Sequence, residues 1–344
     1  MKSQQLWFTE PYTIEIREQA LQSLQADQVL VGSLYSAISA GTEMLVYKGQ
    51  IPNTMTLDMN LQALKNQQTS YPLQYGYATV GRINEIGQNI DASMIGKLVF
   101  AHQPHASHFI TEADQLVFLP EGIDPIAAVF LANMETAINL ILDGSPRIGE
   151  NVVVLGQGIV GLLVSGVLAM SPLAGVYALD RIEKRRTWGK ELGVDKTFDP
   201  DNPQDLEQLN QSLHPAGSAG GADLVYELSG VPEALNLAIE LCGFDSRIVV
   251  GSWYGTKSAK LNLGGKFHRD RIQIISSQVS TISPALTGRW NRSRRFNTAW
   301  DMTRALKPEQ LITHHIPFSS AAEAYRLLNE SAGDVMQAVL VYEN

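Results

Sequence analysis

The sequence predicts an α/β protein in which a β-rich segment precedes a doubly wound parallel sheet. Three observations predict it. Short stretches with period-two alternation fill the first hundred residues, and from about Asp124 apolar strands alternate with helix-length segments. One strand–helix junction, VVVLGQGIVGLL, carries glycines at a spacing that suits close backbone approach. A chain of 344 residues is long for one core, so two domains are expected.

Taken in order, YTIEIREQAL alternates, QVLVGSLYSAIS follows, and YATVGRINEIG and KLVFAHQPHASHFIT come next with glycines between them. Residues 55–74, MTLDMNLQALKNQQTSYPLQ, are polar and glutamine-rich and predict a surface loop with a short helix. DPIAAVFLANMETAINLILDG has helical spacing and ends at Gly144. NVVVLG then precedes IVGLLVSGVLAM, GVYALD precedes EKRRTWGKELG, and DLVYELSG precedes PEALNLAIELC; RIVVGSWY and RIQIISS add two further strands. Strands alternating with helices of this length imply a parallel sheet covered on both faces. LITHHIPFSSAAEAYRLLNE and MQAVLVY return to a helix and a closing strand. The expected division is 1–135, 136–284 and 285–344, the last segment returning to the first domain.

Composition narrows the function classes. A formal charge of −9 supplies no basic field for nucleic acid. RWNRSRR, Arg289 to Arg295, is the local exception, either a solvated helix start or a site for an anionic group. Cys242 is the sole cysteine, which excludes an internal disulfide and a four-cysteine zinc lobe, and it is expected to be a small buried residue. The first residues lack the apolar core of a signal peptide, and the longest apolar run is studded with glycine. The expectation is a soluble cytoplasmic protein with a small-molecule substrate, no nucleic acid and no membrane.

The glycine motif reads Gly156-x-Gly158-x-x-Gly161. The first glycine permits a tight turn, the second lets backbone approach a pyrophosphate, and the third lets helix and strand pack closely. Ile159 and Val160 open the helix, whose free N–H groups and partial positive charge face phosphates. The next strand, GVYALD, ends in Asp180, placed to accept from both adenosine ribose hydroxyls and to repel a 2′-phosphate. That favours NAD. Arg181, Lys184, Arg185 and Arg186 follow closely and keep NADP as the lesser alternative. The context is that of a Rossmann dinucleotide-binding domain.

With SAGTEMLVYKG, YGYATVGRINEIG, GKLVFA, GQGIVG, LDRIEKRRTWGKELGVD and GADLVYELSG in place, nearly the whole chain resembles the medium-chain dehydrogenase/reductase superfamily. The resemblance implies a GroES-like catalytic domain for the β-rich part, and a homodimer or homotetramer. In its zinc alcohol dehydrogenases three ligands hold the metal. The resemblance places them at Ala40, before the Gly-Thr-acid turn, at Tyr77, in Gly76-Tyr77-Ala78, and at Ala132. The structural zinc lobe is reduced to HQPHAS. A metal-free dehydrogenase is therefore expected. SAISAGTE, HQPH, NMETAINLI and HRDRIQIISSQVSTISP look most like the branch containing hydroxyethyl bacteriochlorophyllide dehydrogenase.

Oxidising an alcohol by hydride transfer requires removal of the hydroxyl proton, which zinc otherwise eases. Without it a side chain must act, and the candidates are Glu43, Tyr77, His102, His105 and Glu135, with His108 completing a cluster. HQPHAS is expected to turn at Pro104, since histidines three apart on a strand would face opposite sides. His102 or His105 leads as the proton-transfer group; a histidine metal site and purely structural histidines are the alternatives. Glu43 is either catalytic or a structural acid of its loop. Tyr77 is either a hydrogen-bond donor to substrate oxygen or a space-filling residue, and Glu135 is either a base or a salt-bridged helix acid. The resemblance puts Thr136 behind the nicotinamide ring, Ser229-Gly230 beside its ribose, and Gly251-Ser252-Trp253 against its carboxamide. Trp253 and Tyr254 would wall a flat substrate pocket, or be ordinary core. The expected activity is zinc-independent, NAD(P)-dependent interconversion of a secondary alcohol and a ketone. A quinone or enoyl reductase and a silent NAD-binding sensor or scaffold are the other readings.

Overall fold

The computed structural model describes residues 1–52, 62–65, 69–214 and 220–343. Half of the loop expected over 55–74 lies outside the described residues. The chain opens with a two-stranded antiparallel ribbon of β1 (Lys2–Glu10) and β2 (Thr13–Ala20). β2 is the alternating stretch YTIEIREQAL, whereas β1 is a strand beyond those expected from alternation. Next come β3 (Gln28–Ala37), α1 (Thr42–Tyr47), β4 (Thr79–Ile86), β5 (Leu98–Ala101), β6 (His108–Glu112) and β7 (Val117–Phe118). HQPHAS is a loop between β5 and β6, as expected from Pro104.

The helical run is α2 (Leu131–Gly144), followed by β8 (Asn151–Leu155), α3 (Ile159–Ala169), β9 (Gly175–Leu179), α4 (Glu183–Glu191), β10 (Lys196–Phe198) and α5 (Pro203–Leu213). Then come β11 (Ala222–Glu227), α6 (Ala234–Leu241), β12 (Cys242–Val250), β13 (Gln273–Ser276) and α7 (Arg292–Leu306). The chain continues through β14 (Ile312–Pro317), α8 (Ala321–Glu330) and β15 (Gln337–Val341). β14 is an additional strand where the sequence suggested only a helix and a closing strand.

Two compact units result. One holds 1–132 and 307–344, the other 133–306. The segment 285–306, expected to begin the return, instead carries α7, which packs on α3 inside the second unit.

The first unit is built on the sheet β14-β15-β3-β4-β5-β7, with β6 pairing β3. α8 and α1 close one face of it around Leu6, Phe8, Leu45, Val46, Ala324 and Tyr325, all buried. The second unit is the parallel sheet β10-β9-β8-β11-β12-β13. Its order reverses between β8 and β11, and in such sheets ligands lie beyond the carboxyl ends of the strands at that reversal. Cys242 is fully buried there, and burial pushes its thiol up to about 12. It is inert packing, as the sequence suggested. Both parts of the α/β expectation hold: a doubly wound parallel sheet and a separate β-rich unit.

Candidate active site

The second unit carries the dinucleotide turn. Gly156 follows β8 with φ +92°, a conformation other residues rarely adopt, and a Cβ there would fall 2.6 Å from the Ser229 Cα. A Cβ on Gly161 would fall 2.0 Å from the Gly156 carbonyl oxygen, so the first turn of α3 must be bare to pack on the loop. Gly158 is the N-cap of α3 and no side chain caps it. Nothing stands within 4 Å of where its Cβ would be. The opening N–H groups at Ile159 and Val160 follow an N-cap with no side-chain acceptor, the arrangement an anionic group needs.

Asp180 stands at the tip of β9. Its carboxylate accepts from Gln157 N–H at 2.8 Å and from Ile182 N–H at 2.9 Å. The nearby cations are engaged: Arg185 lies 4.0 Å from Asp180, Arg186 donates to the Asp180 carbonyl and to Asp199, and exposed Arg181 faces Asp201 at 3.8 Å. Beyond β11 and β12, Ser229-Gly230 and Gly251-Ser252 form adjacent turns, joined by a hydrogen bond from Gly230 N–H to Ser252 Oγ at 2.9 Å.

Glu135 and Thr136 sit on α2. Glu135 is buried and accepts from Arg295 Nη2 at 2.7 Å and Nε at 3.1 Å, while Arg295 also donates to Asn139 and to the Val279 carbonyl. Burial raises the Glu135 pKa, opposed by Arg295 and then Arg292. Of its two sequence readings, the geometry is that of the salt-bridged helix acid. RWNRSRR is not uniformly solvated: Arg292 and Arg294 are exposed and lie over Phe296 and Trp290, while Arg295 is 3% exposed. Nothing in the local spacing of RWNRSRR marks which arginine turns inward.

In the first unit Glu43, in the first turn of α1, and His105, in the HQPHAS loop, meet although 62 residues separate them. Both are fully buried. Glu43 accepts from Ser39 N–H at 2.8 Å, from the Tyr325 hydroxyl and from His105 Nε2 at 2.9 Å. His105 Nδ1 lies 2.7 Å from Ser36 Oγ, which lies 2.8 Å from the Tyr342 hydroxyl. Burial pushes both tyrosines above the usual phenol range, so they stay protonated donors. A consistent assignment runs Tyr342 to Ser36 to His105 Nδ1, and His105 Nε2–H to Glu43. Both ring nitrogens are spent inside the core, which corrects the expectation that His105 itself collects a substrate proton; it braces Glu43. The same enclosure leaves Glu43 a structural acid.

His102 is half-buried, edge-on to Phe100 at 5.0 Å, and His108 begins β6 with its pKa lowered by burial. The three histidines therefore do not share one environment. Tyr77 is half-buried, and its hydroxyl donates to Ser39 Oγ at 2.6 Å. Of the positions the resemblance assigned to zinc ligands, Ala40 is exposed and Ala132 is buried. None of these donors suits zinc, which takes thiolate, imidazole or carboxylate. Among the described residues no three histidines, cysteines or acids group to hold a metal ion. Sequence reasoning missed Ser36, Tyr325, Tyr342 and Glu227, and held Arg295 only as one arginine of RWNRSRR. Only Glu227, a charge ending an apolar parallel strand, left a local signal.

Comparison with known proteins adds to this geometry. The family described as zinc-binding dehydrogenase matches residues 160–298. D-guloside 3-dehydrogenase of Escherichia coli (strain K12) is 23% identical over 333 residues, covering 92% of this chain and 93% of the relative. L-idonate 5-dehydrogenase (NAD(P)(+)) of the same strain is 25% identical over 235 residues, covering 67% and 61%. Among solved structures, an alcohol dehydrogenase from E. coli CFT073 complexed with cofactor NADH superposes with a TM-score of 0.79 at 19% identity, covering 99% of each chain.

Proposed function

Because the chain belongs to the medium-chain dehydrogenase/reductase superfamily, we propose that it is an NAD-dependent oxidoreductase of secondary alcohols that works without catalytic zinc. Its substrates are polyhydroxylated, of the sugar and sugar-acid kind named for its relatives. The observation that carries the reading is the pairing of an intact dinucleotide turn with Ala40, Tyr77 and Ala132 at the positions expected of metal ligands. The narrower bacteriochlorophyllide likeness names no substrate for this site.

The residues present fit a nicotinamide dinucleotide. Gly158, Ile159 and Val160 hold the pyrophosphate with backbone N–H groups, and Asp180 takes the adenosine ribose. Arg185 and Arg186 are drawn to Asp180 and Asp199, which leaves little free positive charge for a 2′-phosphate. When bound, the nicotinamide accepts or gives a hydride. The protein handles the proton: His102 takes it from the substrate hydroxyl, and the Tyr77 phenol, whose hydrogen otherwise goes to Ser39 Oγ, turns that hydrogen to the substrate oxygen. Glu43 and His105 hold the Ser39 turn through the Ser39 N–H, and so set the direction of the Tyr77 hydroxyl.

The test is NADH formation across a panel of polyols and sugar acids, before and after dialysis against a chelator, with elemental analysis of the purified protein. Turnover unaffected by chelation with well under one zinc per chain is expected. About one tightly held zinc per chain, with activity lost on its removal, would refute the metal-free reading.

A further inference from the structure

Glu227 is the last residue of β11, in register with Leu155 of β8 and Val250 of β12. It is fully buried at the point where the sheet order reverses. Among the described residues no cation pairs with it. Its Oε1 accepts from the Ser229 N–H at 2.8 Å and from the Ser229 hydroxyl, and its Oε2 accepts from the Tyr254 hydroxyl at 2.5 Å. Burial and the adjoining carboxylate push the Tyr254 pKa upward, so the phenol remains the donor.

A buried carboxylate without a counter-ion costs free energy of desolvation, which an apolar residue at this place would avoid. What the carboxylate achieves is geometric. One oxygen holds the turn at Ser229-Gly230 and the other holds Tyr254, in the turn after β12. The backbone repeats the tie: Gly251 N–H donates to the Glu227 carbonyl at 3.1 Å, and Gly230 N–H to Ser252 Oγ. The Gly156 turn lies directly against Leu228 and Ser229, so all three loops at the strand ends form one block. Asp180 stands apart on β9, tied only to the Gln157 side of that block.

We infer that Glu227 is a positioning residue that sets the nicotinamide half of the cofactor site by clamping the turns at Ser229-Gly230 and Ser252–Tyr254, while the adenosine half is set by Asp180. The inference rests on the dinucleotide reading of this unit. Glu227→Gln keeps the volume but turns an N–H₂ toward groups that are themselves donors, which should loosen the two turns. Tyr254→Phe removes one tie at a partly exposed position.

The experiment is calorimetric titration of the full-length protein with NAD⁺ and, separately, with ADP, which lacks the nicotinamide and its ribose. Glu227→Gln should weaken NAD⁺ binding about tenfold or more and leave ADP within about twofold of wild type; Tyr254→Phe should shift the same ratio by about threefold or more. A purely structural role would move both ligands together, and that result, or unchanged NAD⁺ affinity, overturns the inference. Should Glu227→Gln not fold, Tyr254→Phe decides alone: a loss confined to NAD⁺ supports the clamp, and an unchanged ratio overturns it. Wild-type protein that binds neither ligand overturns the dinucleotide reading and the inference with it, whereas binding by wild type with unselective variants overturns the inference only.

Discussion

Replacing Arg295 with methionine tests the energetics of the second unit most sharply. The Arg295 and Glu135 side chains are 4% and 6% exposed, so each depends on the other rather than on water. The substitution keeps most of the aliphatic bulk and deletes every donor. It removes the Arg295 donors from the Glu135 carboxylate, the Asn139 side-chain oxygen and the Val279 carbonyl. Breaking one partner of a buried pair costs about 3–5 kcal/mol. For a unit of this size each kcal/mol is worth roughly 2–4 °C, so the thermal midpoint should fall by about 6–20 °C. The loss should depend on pH with a defined sign. Burial already raises the Glu135 pKa and Arg295 is its largest opposing influence, so the variant raises it further. A carboxyl raised in the folded state favours folding fully below its unfolded pKa, and that advantage is lost as pH rises through the folded value. The deficit should thus be large at about pH 8 and shrink towards about pH 5. Circular dichroism melts at both values measure it. Glu135→Leu with Arg295→Met, which removes both charges, should recover most of the loss. A single variant that melts within about 2 °C of wild type at the higher pH, or one that worsens in acid, would refute the reasoning.

Three further outcomes are expected. Asp180→Ala should erode the preference for NAD⁺ over NADP⁺ about tenfold or more in the ratio of dissociation constants, because it removes two ribose hydrogen bonds and the repelling charge; an unchanged ratio would shift the determinant to Arg181 or Arg185. His102→Asn should lower kcat roughly 10²–10⁴-fold with NAD⁺ affinity intact and partial rescue at raised pH, whereas Tyr77→Phe should lower both kcat and substrate affinity. If only the tyrosine variant is impaired, the proton leaves by another route.

The parts legible in the sequence are those whose physics is local. GQGIVG could be read because a tight turn, a backbone approach and a helix start follow one another within six positions, and each demands glycine or an apolar neighbour. The parallel sheet was legible because its strands are buried on both faces and so read as continuous apolar runs. What stayed hidden is pairing at a distance. His105 meets Glu43, and Arg295 meets Glu135 across 160 residues, through loops and helices whose packing no periodicity encodes. The histidines illustrate this: three residues spaced alike in sequence end in three environments, because a loop at Pro104 turns one of them into the core. β1 escaped notice because its exposed residues, Lys2, Gln4 and Glu10, and its buried ones, Ser3, Leu6 and Phe8, do not alternate cleanly.

The order in which the sheet of the first unit is strung has a consequence for synthesis. Its strand β3 is emitted early, yet its neighbour β15 pairs with it antiparallel only after the second unit has been made. The cluster around Glu43 needs Tyr325 and Tyr342 from that same late segment. On a ribosome the second unit, being one continuous stretch, can close on its own, while the first must wait half-built with an open strand edge and a buried-type acid still facing solvent. Long-range pairing of this kind is slow as well as late. A nascent chain stalled before Gln337 should therefore show protease resistance over 133–306 and sensitivity before it, and aggregation of truncated chains should begin at the unpaired edge of β3.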